Sequence, residues 1–142
     1  MVGKENAIVW QCGMDRRSNQ IGLFSIYTAM QNTKTSDFWY MTLKDNQFVD
    51  DTLKKVFPQV NILYVDDLIA KYKQNWTPKR AKSQANKLWE NGFVNCKFFI
   101  YALPQFAKYK KILNLDNDIE VSNDLDEFLF SLDMNGKHIA MA

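Results

Sequence analysis

At 142 residues the chain is long enough for one domain with a well-buried core. Apolar residues make up 46% and aromatics 14%, which excludes disorder, because a disordered segment lacks the apolar surface needed to offset its ordering entropy. Eighteen basic residues against 16 acidic ones leave a formal charge of +2, which is no basis for the broad positive field that attracts nucleic acid.

The first residues, Met1 to Asn6, carry no apolar leader, and no apolar run approaches the ~20 residues of a membrane helix, so the expected setting is cytoplasmic. Ala7-Ile8-Val9-Trp10 is an apolar run of strand formers closed by Gly13. Cys12 and Cys96 are isolated, with no paired spacing, and read as small hydrophobes. From 19 to 30, Ile21, Phe24, Ile26, Tyr27 and Met30 recur at helical steps. A second strand is predicted over 38–43 and a helix over 48–57, which Pro58 stops. The third strand covers 60–65 and a short helix 67–72. Thr77 caps a helix with Pro78 at its first position, and Asn91-Gly92 ends it. Residues 93–106 again have helical spacing, which Pro104 breaks. A fourth strand over 111–115 runs directly into Asp116-Asn117-Asp118, with a helix over 124–132 and a further strand beginning at 139.

Apolar strands alternating with helices predict an α/β domain with a mostly parallel, Rossmann-like sheet flanked by helices. In such sheets ligands bind outside the carboxyl ends of the strands.

Asp116 and Asp118 stand at such an end. In extended backbone, residues two apart project to the same side, so the two carboxylates are expected together. Like charges that close repel unless a cation joins them, and hard oxygens suit Mn²⁺ or Mg²⁺, which can bridge to a diphosphate. The plain alternative is a polar turn after a strand. A calcium loop is disfavoured because Val121 stands where it needs glycine. An aspartyl phosphatase lacks downstream room, and a P-loop lacks its glycines.

The stretch 109–129, Tyr-Lys-Lys-Ile-Leu-Asn-Leu-Asp-Asn-Asp-Ile-Glu-Val-Ser-Asn-Asp-Leu-Asp-Glu-Phe-Leu, followed by Gly136-Lys137-His138-Ile139-Ala140, resembles the DxD region of family 8 glycosyltransferases. Ser25 to Asn32 is similar to that family's first helix. The resemblance implies a GT-A fold and a retaining transfer of a hexose from a nucleotide sugar, usually UDP-linked, to a saccharide, protein or lipid acceptor, with metal assistance. Its implied nucleotide contacts are Trp10, Cys12 and Asp15 at the end of the first strand, Lys97, and Asp116, Asn117 and Asp118 in the motif. Asp116 and Asp118 are the implied metal ligands.

Three departures stand against that pattern. The family's base-stacking Tyr falls near Ser18, with Arg16 and Arg17 as phosphate contacts or a solvated loop instead. The family's Arg before the motif strand falls at Ile100, leaving Lys97 as its substitute. The distant His that completes the family's metal site has no counterpart, because His138 sits in the wrong segment. The expectation is therefore the N-terminal, donor-binding portion of such an enzyme, whether truncated, naturally shortened or a remnant that binds without transferring. A nucleotide-sugar-binding domain without catalysis, and a metal-dependent nucleotidyl or phosphoryl transferase, are the alternatives.

Overall fold

The computed structural model describes residues 4–13, 15–72 and 100–136. The expected helix over 77–90, the strand from 139, and Lys97, Cys96 and His138 lie outside the described residues. Within them the chain forms β1 (Asn6–Gln11), α1 (Arg16–Gln31), β2 (Ser36–Thr42), a wide helical segment (Val49–Leu53) continuing into α2 (Lys54–Val56), β3 (Asn61–Tyr64), α3 (Asp66–Tyr72) and β4 (Lys111–Leu115).

The four strands make one sheet in the order β3-β2-β1-β4, and every pairing is parallel. β1 is the hub: Trp10 lies opposite Tyr40 on one side and Leu115 on the other. Its sequence explains that place. Ala7 and Val9 point into one core with Met41, Leu63, Ile100 and Phe106, while Ile8 and Trp10 point into a second core with Ile26, Ala29, Tyr40 and Leu53. A strand buried on both faces must be apolar along its middle, and this one is from Ala7 to Trp10, between the polar ends Asn6 and Gln11. Full burial of each large side chain contributes roughly 1.5–3 kcal/mol, so β1 anchors both layers. α1 covers one face, and α3 covers the other through Leu68 and Ile69.

Two expected helices differ among the described residues, and positions 93–99 of the first lie outside them. Instead of a helix through 106, the described residues hold two 3₁₀ turns, Ile100–Ala102 and Pro104–Phe106. Pro104 forces the break: Leu103 before it is extended, at φ −78° and ψ 136°. After β4, the helix expected over 124–132 contracts to one wide turn, Asp126–Phe130. Asp124 caps that turn, its Oδ1 accepting from Asp126 N at 2.8 Å and Glu127 N at 3.1 Å.

Candidate functional site at the sheet's carboxyl edge

From β1 the chain builds outward through β2 to β3, then crosses back to place β4 on the opposite side of β1. The carboxyl ends of β1 and β4 therefore flank the point where strand order reverses, and open α/β sheets bind ligands there. The loop after β1 carries Cys12 to Asp15, and the turn after β4 carries Asp116 to Asp118.

Asn19, 6% exposed, organises the first loop. Its Oδ1 accepts from Gly13 N and from the Tyr40 hydroxyl, both at 2.7 Å. Burial pushes the Tyr40 phenol well above its usual range, so it remains a donor. Position 13 tolerates no side chain, because a Cβ there would lie 2.3 Å from Ser18 Cβ. Asp15 then caps α1, its Oδ1 accepting from Ser18 N at 2.8 Å, and hydrogen bonding to Ser18 holds its carboxyl below the usual range. Cys12 is half-buried, and desolvation raises its thiol to about 11, against hydrogen bonds from Thr42 and Asn46. It is a neutral thiol and no nucleophile at neutral pH. Trp10 is fully buried, and its indole donates to Ser25 Oγ at 2.9 Å. Its side chain belongs to the core rather than to a ligand surface.

A cleft of about 680 Å³ opens between this loop and the segment after β2. Cys12, Gly13, Asp15, Arg16 and Asn19 form one wall, and Asp45, Asn46, Phe48, Asp51 and Thr52 are on the other. The second wall is held by Asn46, which donates to Thr42 Oγ1 at 2.9 Å and accepts from Phe48 N at 3.2 Å. Asp66 accepts from Lys44 N at 3.1 Å and ties that wall to α3. Asp15, Asp45 and Asp51 against Arg16 make the lining acidic, which favours an uncharged, hydrogen-bonding guest over an anion.

The motif departs from its expected geometry. β4 ends at Leu115, and Ile119 N donates to Asp116 O at 3.3 Å, closing a turn with Asn117 and Asp118 at its centre. The side-sharing of residues two apart in a strand therefore does not apply, because Asn and Asp favour the turn. Asp116 and Asp118 are both exposed at the sheet edge and lie outside the lining of the cleft. Asn117 is turned inward instead: its side chain packs against Gly22 of α1, where a Cβ would come within 3.0 Å of its Cγ and Oδ1. Asn117 Oδ1 is buried with no hydrogen-bond partner among the described residues.

Beyond the turn, the chain is clasped to α1. Val121 N donates to Thr28 Oγ1 at 3.1 Å, Asn32 Nδ2 donates to Val121 O at 2.9 Å, and Leu125 N donates to Asn32 O at 2.7 Å. Asp126 closes the clasp, accepting from Thr33 Oγ1 and Lys34 N, both at 2.6 Å.

A parallel sheet covered by helices on both faces, with polar loops gathered at its switch point, defines a Rossmann-like α/β domain consistent with the GT-A fold. The sequence pattern of glycosyl transferase family 8 matches residues 23–142, and the chain belongs to that family. No curated protein and no solved structure matches it significantly. The family match begins within α1, so the loop from Cys12 to Asp15 stands outside it. Of the residues that sequence reasoning missed, Gly22, Asn46 and Phe48 carry no motif, and Asp126 sits unremarked within the stretch 109–129; the helical spacing that puts Gly22 and Asn19 on one side of α1 is a hint at Gly22 alone. No helix among the described residues is long and apolar enough to cross a membrane.

Proposed function

We propose that the chain binds a nucleotide-linked hexose, with UDP as the nucleotide, and forms the donor-binding part of a retaining, metal-assisted glycosyltransferase. The observation that carries this reading is the adjacency of β1 and β4, which sets the loop at Cys12 to Asp15 beside the turn at Asp116 to Asp118. The acidic cleft suits the uncharged nucleoside, and the diphosphate then runs across the end of β1 towards the motif turn. Arg16, exposed at the first turn of α1, lies on that course and offers a guanidinium to phosphate oxygens.

The donor set fits a small hard cation. Among the described residues no three of His, Cys, Asp and Glu converge on one point. Mg²⁺ and similar ions do not require it, since they are held by one or two carboxylates together with substrate phosphates and water. Asp116 and Asp118 would hold Mn²⁺ or Mg²⁺ in that way, and the ion would neutralise charge on the departing diphosphate. The protein's own part is to fix the turn that carries both carboxylates, through Asn117 against α1 and the clasp at Val121.

Calorimetry with UDP-hexoses tests this. Mn²⁺ is expected to tighten binding at least tenfold, and Asp118→Asn to abolish that gain, since it removes a charge the cation needs. Equal binding by Asp118→Asn with and without Mn²⁺, matching wild type, would refute the reading. Hydrolysis of the bound donor separates an enzyme from a domain that only binds.

A further inference from the structure

A helix that packs on a sheet ordinarily has an apolar inner stripe and a polar outer one. α1 keeps only the first half of that rule. Gly22, Ile26 and Ala29 turn inward and are buried, while Ile21, Phe24 and Tyr27 follow one another at three-residue steps on the outer side. Ile21 is 41% exposed, Phe24 54% and Tyr27 51%. Single exposed apolar residues are ordinary, but three at successive outer positions of one helix make a continuous patch. Val56 of the neighbouring α2 is exposed as well, and Gln59 Nε2 lies 3.3 Å from Met30 Sδ, which sets the end of that helix beside α1.

The charge on this face has one sign. The 16 residues of α1 include Arg16 and Arg17 and no carboxylate, and Asp15 just ahead of them is taken up in capping the helix. Among the described residues the exposed Arg17 and Lys55 form no salt bridge, whereas Lys54 is paired with Asp50. That pattern decides between occupants. A second copy meeting this face about a two-fold axis would bring like charge to like charge, with no carboxylate on the helix to pair it. A bilayer with anionic headgroups answers both features, because apolar and aromatic side chains enter the boundary between headgroups and acyl chains while the cations meet the headgroups.

We infer that the outer face of α1 docks the protein on a membrane surface rich in anionic lipid, with Phe24 and Tyr27 inserted and Arg17 and Lys55 on the headgroups. The helix lies in the interface and does not cross it: it has 16 residues and two arginines, where a span needs about 20 apolar ones. Docking of this kind needs no nucleotide, so it stands apart from the donor-binding reading.

Co-sedimentation of the full chain with vesicles tests this, using phosphatidylcholine alone and phosphatidylcholine mixed with phosphatidylglycerol. Wild type is expected to bind the mixed vesicles about tenfold more tightly than the neutral ones, or better, and to be released as salt screens the headgroups. Phe24→Ser combined with Tyr27→Ser removes the inserted rings and should weaken that binding about tenfold or more. Arg17→Gln should weaken it about fivefold, the scale of one basic residue at such a surface. Tyr101→Ser changes a ring that is 43% exposed in the turn whose Ile100 enters the other core, and should leave binding unaltered. Each replaced side chain is exposed, and urea midpoints close to that of wild type establish that the variants fold. If the double variant does not fold, Arg17→Gln, which removes no apolar packing, decides. Equal sedimentation with neutral and mixed vesicles, none with either included, or undiminished binding by the double variant, would overturn the inference. So would a dimer in light scattering that the double variant dissolves, because a second copy would then cover this face.

Discussion

Asp126 is a carboxylate that the motif's neighbourhood uses for structure rather than chemistry. Burial opposes its ionisation, but hydrogen bonds from the hydroxyls of Thr33 and Thr35 and from Lys34 N–H outweigh that cost and hold its carboxyl below the usual range. A group whose pKa is lower in the folded state stabilises fully above its unfolded value of 3.8 and loses that contribution as pH falls through the folded one. Asp126→Ala should cost about 1–2 kcal/mol at neutral pH, after allowing for solvent screening of a partly exposed group. Urea titrations of both proteins should show the gap narrowing below pH 3.8. A gap that stays constant from about pH 6 to about pH 2 would show that ionisation has no part in it.

At the level of elements, the packing of α1 on the motif turn depends on Gly22. Glycine inside a helix costs about 1 kcal/mol relative to alanine, so its presence calls for a steric reason. Asn117 supplies one, because its amide occupies the space a methyl at position 22 would need. Gly22→Ala alone should change stability little, the helix gain being offset by displacement of Asn117. On an Asn117→Ala background the same substitution should stabilise by about 1 kcal/mol, since the obstruction is gone. Urea midpoints for the four proteins of this cycle measure the coupling; additive effects would mean the two residues do not interact.

The same elements show what was legible in the sequence. β1 lies where its apolar run from Ala7 to Trp10 puts it, because a strand buried on both faces leaves such a signature, and the partly buried β4 is still marked by Ile112, Leu113 and Leu115. The sequence places Asp116 to Asp118 directly after β4, where the turn stands, but strand alternation does not carry past Leu115 into residues that favour a turn. The second wall of the cleft was invisible, because Asn46 and Phe48 earn their places through tertiary contacts with Thr42 and Tyr40 rather than through spacing. Asp126 was hidden for a similar reason, its partners at Thr33 to Thr35 lying more than 90 residues away.

For the molecule as a whole, the motif turn stays in place because the chain on its far side is fastened to the end of α1. Thr28 is the centre of that fastening: its hydroxyl donates to Ser25 O at 3.0 Å and accepts from the buried Val121 N at 3.1 Å. Thr28→Val preserves shape and leaves Val121 N–H without an acceptor, a loss of about 1–3 kcal/mol for a buried donor. The effect should not be confined to that bond. Asn32 binds Val121 O and Leu125 N, so releasing Val121 N–H leaves the stretch from Val121 to Leu125 held by Asn32, with the next tie at Asp126. Hydrogen exchange should show the amides of Val121 and Leu125 among the slowly exchanging set in wild type, and both faster in Thr28→Val, while Val9 and Met41 in the central strands change only by the global loss. If Val121 speeds up alone, the clasp is a set of independent bonds, and the motif turn is held by Asn117 on Gly22 without it. If Leu125 follows, the clasp opens as a unit, and donor affinity should fall with it, because the two carboxylates then sit on a turn tethered at one end.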